Sequence, residues 1–324
     1  MQDISKTAEQ ILAGNRRSLA RAITLVESMR EDHRNQAQTL LSTLRGHGRQ
    51  ALRIGLSGTP GVGKSTFIEA LGCFLTGHDL KVAVLAVDPS SARSGGSILG
   101  DKTRMERLSR EPNAFIRPSP SQSQLGGVAR RTREAIDLCE AAGFDVIVIE
   151  TVGVGQSETM VAQMADLFLL LLAPAGGDEL QGVKRGIMEV ADILLVNKAD
   201  GDLKATAIRT CADYAGALRL MRKRAHDPEG FPKAMTVSAI DLTGLEQVWQ
   251  EISDLVGWRR AQGHLDTLRA QQARYWFEEE LRERLLARLS REPLKGAITS
   301  LAGQVEEGSL SPNEAADEVL GQLG

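Results

Sequence analysis

The chain has 324 residues, long enough for about two domains, and its 42% apolar content is that of a globular protein. A formal net charge of −3 gives no electrostatic reason to expect a nucleic-acid partner. Cys73, Cys139 and Cys211 lie far apart and are odd in number, which argues against a disulfide framework and for a reducing compartment, the cytoplasm or, in a eukaryote, an organelle. The histidines are scattered and offer no zinc-binding spacing.

The opening residues, MQDISKTAEQILAGN, carry no apolar core of signal-peptide length. Residues 1–48 read as a helical region, with Ile23, Val26 and Met29 recurring at three-residue spacing. From 49 to 257 short β-rich runs alternate with helical stretches, and strands are expected at 52–57, 81–88, 114–118, 144–150, 167–173, 193–197 and 234–238. Several runs are apolar on both faces, which suits a parallel sheet covered by helices on each side. The longest, Leu167 to Pro174, falls well short of the ~20 residues that cross a membrane, so no membrane partner is expected. The alternation predicts an α/β fold: a doubly wound, mainly parallel sheet with functional loops at the carboxyl ends of its strands.

From residue 258 the strand signals stop. One long helix is expected to end before Pro293, with Leu281, Leu285 and Leu289 four apart. A second segment carries the stripe Leu294, Ile298, Leu301 and Val305. A third opens with the capping box Ser311-Pro312-Asn313-Glu314. The stripe must be buried, either against the rest of the chain or against a second copy.

The first chemical motif is GTPGVGKS, which is Gly58-x-x-x-x-Gly63-Lys64-Ser65, lying between an apolar strand and a helical pattern. Its glycines, Gly58, Gly61 and Gly63, let the backbone of Val62 and its neighbours wrap a phosphate with N–H groups. Lys64 would reach the β- and γ-phosphates, Ser65 would give a hydroxyl to Mg²⁺, and Thr66 continues the cradle. Asp88 closes the second strand and either faces the phosphate site as a metal ligand or is a turn aspartate before Pro89. Glu150 ends the fourth strand, in VIETVGVGQSE. It acts through a water ligand, holds the loop, or is a solvated strand-end acid, and no geometry at this point names it a base. Gly153 would let a backbone N–H approach a γ-phosphate.

The second motif is Asn197-Lys198-Ala199-Asp200, again at a strand end. The Asp200 carboxylate can accept two hydrogen bonds from guanine, a pair that adenine lacks, and such polar complementarity discriminates strongly. The Lys198 stem can cover the base, Asn197 can tie loops together, and the Ser238-Ala239 backbone can meet the guanine carbonyl. Their order after the phosphate loop favours GTP and GDP over ATP.

Together GTPGVGKST, AVDPSS, GGSILGDKTRM, ETVGVGQSE and NKAD resemble the MeaB/MMAA (ArgK-type) G proteins, in the branch of P-loop GTPases that includes signal-recognition and metal-insertion GTPases. The resemblance covers nearly the whole chain. It implies a P-loop GTPase core with helical extensions at both ends and Mg²⁺-dependent GTP hydrolysis. It also implies a chaperone of an adenosylcobalamin-dependent mutase, typically methylmalonyl-CoA mutase, that couples GTP turnover to cofactor loading and protection of the mutase. A homodimer built by a C-terminal arm, 258–324, is implied too. By the same resemblance, Asp88 and Asp101 belong to the metal region, a first switch lies within 92–106 and a second at 150–158. A third mobile segment at 174–184 contains Asp178, Glu179 and Lys184, where the residues alone show only a loop entering a helix. Lys64, Glu150 and Lys184 are then the candidate catalytic residues, and Arg93, Arg104 and Lys184 the candidate cations for the transition state. Alternatives are a P-loop ATPase or kinase linked to amino-acid transport, as an old family name suggests, or a metal-insertion or targeting GTPase. No residue specifies an amino-acid or protein acceptor, and no Cys/His cluster supports metal insertion.

Overall fold

In a computed structural model of the chain, the described residues are 4–87, 105–118, 125–151, 157–174, 185–221 and 224–322. Three helices come first: α1 (Ile4–Leu12), α2 (Arg16–Glu27) and α3 (Glu31–Leu44). The α/β part follows as β1 (Leu52–Gly58), α4 (Lys64–Thr76), β2 (Val82–Val87), α5 (Glu106–Arg110), β3 (Ala114–Arg117), α6 (Leu125–Ala141), β4 (Val146–Thr151), α7 (Ser157–Ala162), β5 (Leu167–Leu172), α8 (Arg185–Val190), β6 (Ile193–Val196), α9 (Lys204–Arg219), β7 (Lys233–Thr236) and α10 (Leu245–Ala261). The chain ends in α11 (His264–Leu289), α12 (Leu294–Glu306) and α13 (Pro312–Gly321). It divides into two compact units, residues 1–269 and 270–324.

All seven expected strands form, in one sheet of order β3-β2-β4-β1-β5-β6-β7, and every pairing is parallel. Parallel strands need crossover helices, so both faces are covered and the strands can be apolar throughout. β4, β5 and β6 are buried along their whole length. One face packs Ile54, Leu56, Val148, Leu169 and Leu195 against Phe67 and Leu71 of α4 and Val248 and Ile252 of α10. Each such fully buried side chain contributes roughly 1.5–3 kcal/mol. Chain order puts β1 and β4 side by side at the centre, so the loops that follow them meet at the carboxyl edge of the sheet.

The N-terminal helices belong to the first unit. α2 and α3 pack on α6, and Arg34 grips Glu134 with two hydrogen bonds of 2.8 and 2.9 Å. Ile23 and Val26 are fully buried as their spacing implies, but Met29 is 67% exposed. The reason is local: α2 ends at Glu27, Ser28 turns to an extended conformation, and the helical periodicity does not reach residue 29.

The single helix expected from 258 is two helices. Residues 258–261 complete α10, which begins at Leu245, and Gly263 breaks the run with φ +73° before α11 starts. In the second unit Leu294 and Leu301 are buried, Ile298 and Val305 are half-buried, and α12 packs against α13. The expected capping box is present at the start of α13. No described helix is long and apolar enough to cross a membrane.

Candidate functional site

The turn from β1 into α4 carries the glycine motif. Gly61 and Gly63 both take positive φ, +82° and +90°, conformations that other residues adopt only under strain. Gly63 also faces Asn197: an added Cβ would stand 2.8 Å from its side-chain nitrogen. Val62 is buried and anchors the loop on the core, while Ser65 is half-buried and Thr66 exposed in the first turn of α4. The Lys64 ammonium curls back onto its own loop and donates to the carbonyl oxygen of Gly58 at 2.6 Å. Burial pushes its pKa below the usual lysine range, and the charges of Glu150 and then Glu158 act against that shift.

Glu150 sits at the end of β4 in register with Leu56 of β1 and Ala86 of β2, and is 9% exposed. It is thus not a solvated strand-end acid. The next residue, Thr151, donates to Ser57 Oγ at 2.8 Å in full burial. That bond fastens the start of the second expected switch to the base of the phosphate loop. Ser57 belongs to no motif and Thr151, though within ETVGVGQSE, gains no role from it; the strand register brings them together.

The second motif stands beside the first. Asn197, 2% exposed, donates from Nδ2 to the Val62 carbonyl at 3.0 Å, and its Oδ1 accepts from the Ala239 backbone N–H at 3.2 Å. One amide therefore joins three loops. Lys198 takes φ +58° and donates to the Gly61 carbonyl at 2.8 Å, so its stem lies along the phosphate loop. The Asp200 carboxylate accepts from the Ser238 hydroxyl at 2.5 Å, and that hydroxyl accepts in turn from the Asp241 N–H at 3.0 Å. Asp200 is half-buried, with an edge open to a ligand.

A hard divalent cation prefers oxygen donors. Ser65 and Glu150 supply a hydroxyl and a carboxylate at this edge, which fits Mg²⁺, and among the described residues no cluster of His, Cys, Asp and Glu competes for a metal elsewhere. Asp88, Asp101, Gly153 and Lys184 lie outside the described residues, as do Arg93, Arg104 and nearly all of the first and third expected switches.

An all-parallel α/β sheet with this glycine loop on its central strand, and the Asn197–Asp200 loop joined to it, defines a P-loop GTPase. The sequence narrows the class. A profile of the family described as methylmalonyl Co-A mutase-associated GTPase MeaB matches residues 19–293, and the chain belongs to that family. It is 52% identical over 323 residues to a putative GTPase of Caulobacter vibrioides, covering 99% of this chain and 98% of that one. It is 48% identical to the mitochondrial methylmalonic aciduria type A homolog of Mus musculus, covering 96% of this chain and 77% of that protein. Among solved structures, one described as an LAO/AO transport system kinase aligns with a TM-score of 0.77 at 36% identity, over 99% of this chain and 97% of that one.

Proposed function

We propose that this GTPase serves an adenosylcobalamin-dependent mutase, methylmalonyl-CoA mutase in the first instance, and couples the GTP cycle to loading and protection of that enzyme's cofactor. The family match over residues 19–293 carries the reading, because the family is described by its association with that mutase. The mouse relative, named for methylmalonic aciduria, points the same way.

In this reading Gly58, Gly61, Val62, Gly63, Lys64, Ser65 and Thr66 cradle the phosphates of GTP, and Asn197, Lys198, Asp200, Ser238 and Ala239 hold the guanine. The joint made by Asn197 supports it, since it fixes the distance between the phosphate and base loops. Mg²⁺, when bound, would neutralise charge developing on the phosphates, with Ser65 and Glu150 as donors on the described edge and Asp88 and Asp101 assigned by resemblance. The protein's own contribution is positioning: Lys64 moves from the Gly58 carbonyl to the phosphates, and the buried Thr151–Ser57 bond holds the second loop against them. A kinase role linked to amino-acid transport finds no support in an acceptor site.

The second unit is proposed as the dimerisation arm. Phe277, Leu281, Leu285 and Leu286 of α11 are 68%, 50%, 44% and 63% exposed, an apolar stripe of the kind that marks an interface. We place the protein in a reducing compartment such as the cytoplasm, on the wide spacing and odd number of its cysteines. GTP turnover with and without purified mutase tests the function. Stimulation by the mutase is expected, and Lys184→Ala should sharply reduce the stimulation while leaving intrinsic turnover within a few-fold. A mutase that neither binds nor stimulates the protein refutes the proposal.

A further inference from the structure

Glu158 belongs to the second expected switch, yet neither motif gives it a task. It lies in the first turn of α7 and is only 4% exposed. Burying a carboxylate is costly unless positive charge or hydrogen-bond donors compensate.

Packing sets the height of that residue along the sheet. α7 crosses β1 over Gly55, where an added Cβ would stand 2.7 Å from Phe168 Cδ2 and 3.1 Å from Val161 Cγ1. α7 connects the parallel strands β4 and β5, so it runs back against the strand direction. Glu158 precedes Val161 by three residues, about 4.5 Å of helix. A strand climbs about 3.3 Å per residue, so Glu158 is level with Leu56 and Ser57 when Val161 is level with Gly55. The next residue, Gly58, is the one whose carbonyl holds the Lys64 ammonium. Glu150 reaches the same level from β4, in register with Leu56. The negative charges of both carboxylates act on Lys64, whereas Lys198, which reaches the loop from the second motif, is engaged by the Gly61 carbonyl.

Lys64 therefore has two competing sets of partners. One is its own loop carbonyl with Glu150 and Glu158 nearby; the other is the phosphate chain of a nucleotide. A phosphate that enters brings negative charge towards Glu158 and takes Lys64 away from it. We infer that Glu158 is a positioning residue that holds the Lys64 ammonium on its own loop when the phosphates leave, and thereby speeds release of the guanine nucleotide. The inference rests on reading residues 58–65 as the phosphate loop, and it makes α7 the element through which a partner would set the exchange rate.

The test measures dissociation of a fluorescent GDP analogue, chased with excess GDP, from the full chain. Removing one partly buried charge at this range should slow release by roughly three- to tenfold in Glu158→Gln, with affinity rising to match. Glu158→Asp, which keeps the charge, should stay within about twofold of wild type. A residue that only supports the fold would loosen the site when changed, so unchanged or faster release in Glu158→Gln overturns the inference. So does a raised Mg²⁺ requirement, which would place Glu158 among the metal's ligands. The wild-type protein gives an independent check. Carbodiimide should join Lys64 to Glu158 in nucleotide-free protein and not in the GDP complex, and absence of that product without nucleotide also overturns the inference. Lys64→Ala separates the two levels. Unchanged GDP affinity in that variant refutes the phosphate-loop reading itself, whereas weakened affinity beside a silent Glu158→Gln refutes only the role of Glu158.

Discussion

The two ends of the sheet treat buried charge in opposite ways. At the amino edge the buried carboxylates Asp192, Asp166 and Glu140 are matched to arginine. Asp192 accepts from the Phe168 N–H at 2.7 Å, from Arg224 at 2.9 Å and from Arg259 at 2.6 Å. Asp166 accepts from the Arg53 N–H at 2.9 Å and from Arg269 at 2.6 and 2.8 Å, and Glu140 holds the Arg53 guanidinium. At Asp166 and Glu140 one guanidinium fork spans both carboxylate oxygens, and at Asp192 two guanidiniums share Oδ1 while the Phe168 N–H takes Oδ2, which leaves little for a ligand to do. At the carboxyl edge Glu150 and Glu158 act on one lysine, whose ammonium hydrogen bonds go to carbonyls of its own loop. Saturated charge locks the architecture, while charge held by an exchangeable contact can be handed to a ligand. The amino edge anchors α10 and the first turns of α11 to the strand starts, and the carboxyl edge keeps a cation that a ligand can take up.

That contrast is open to attack by substitution. The largest effect is expected at the amino edge. Asp192→Ala would leave Arg224 and Arg259 with Asp227 as their one shared carboxylate and the Phe168 N–H without an acceptor. It should cost about 3–5 kcal/mol in urea unfolding, with turnover per folded molecule nearly unchanged. A loss below ~1 kcal/mol would show that the network is not structural.

At the carboxyl edge Asp200→Asn should leave the fold intact. It exchanges a double acceptor for a mixed donor and acceptor, so guanine affinity should fall by roughly 100-fold, about 2.7 kcal/mol, and xanthine nucleotides should compete better. Competition binding with GDP and XDP reads this directly, and wild-type GDP affinity would remove Asp200 from the base site. Lys64→Ala comes next. Turnover should fall by more than about tenfold, near 1.4 kcal/mol of barrier, with an unchanged melting temperature. If the melting temperature falls instead of the rate, Lys64 would belong with the structural charges. The smallest effect is expected away from both edges. Met29→Ala should change stability by less than ~0.5 kcal/mol, because Met29 is exposed, whereas Ile23→Ala should cost about 2–5 kcal/mol in the same unfolding assay.

Much of this was legible in the sequence for local reasons. Apolar strands, glycines where φ must be positive, and a polar residue closing each strand are patterns within a few neighbouring residues. The seven strands, the phosphate loop and the capping box at Ser311 could therefore be read directly. The order of motifs along the chain also named the family, to which the chain belongs. Local periodicity failed at its edges: it continued the α2 stripe to Met29 past the end of the helix, and it ran one helix through Gly263.

What the tertiary structure alone decided is which distant residues meet. Sheet order brings β4 beside β1, and that register makes partners of Thr151 and Ser57 and sets Glu150 beside the phosphate loop. The close pass of α7 over Gly55 sets Glu158 level with Leu56 and Ser57, one residue short of the carbonyl that holds Lys64, and folding brings Arg259 and Arg269 into contact with Asp192 and Asp166 at the far edge. These contacts join residues from about 67 to 103 positions apart, a separation at which sequence periodicity carries no information, so only the packed sheet and its register could specify them.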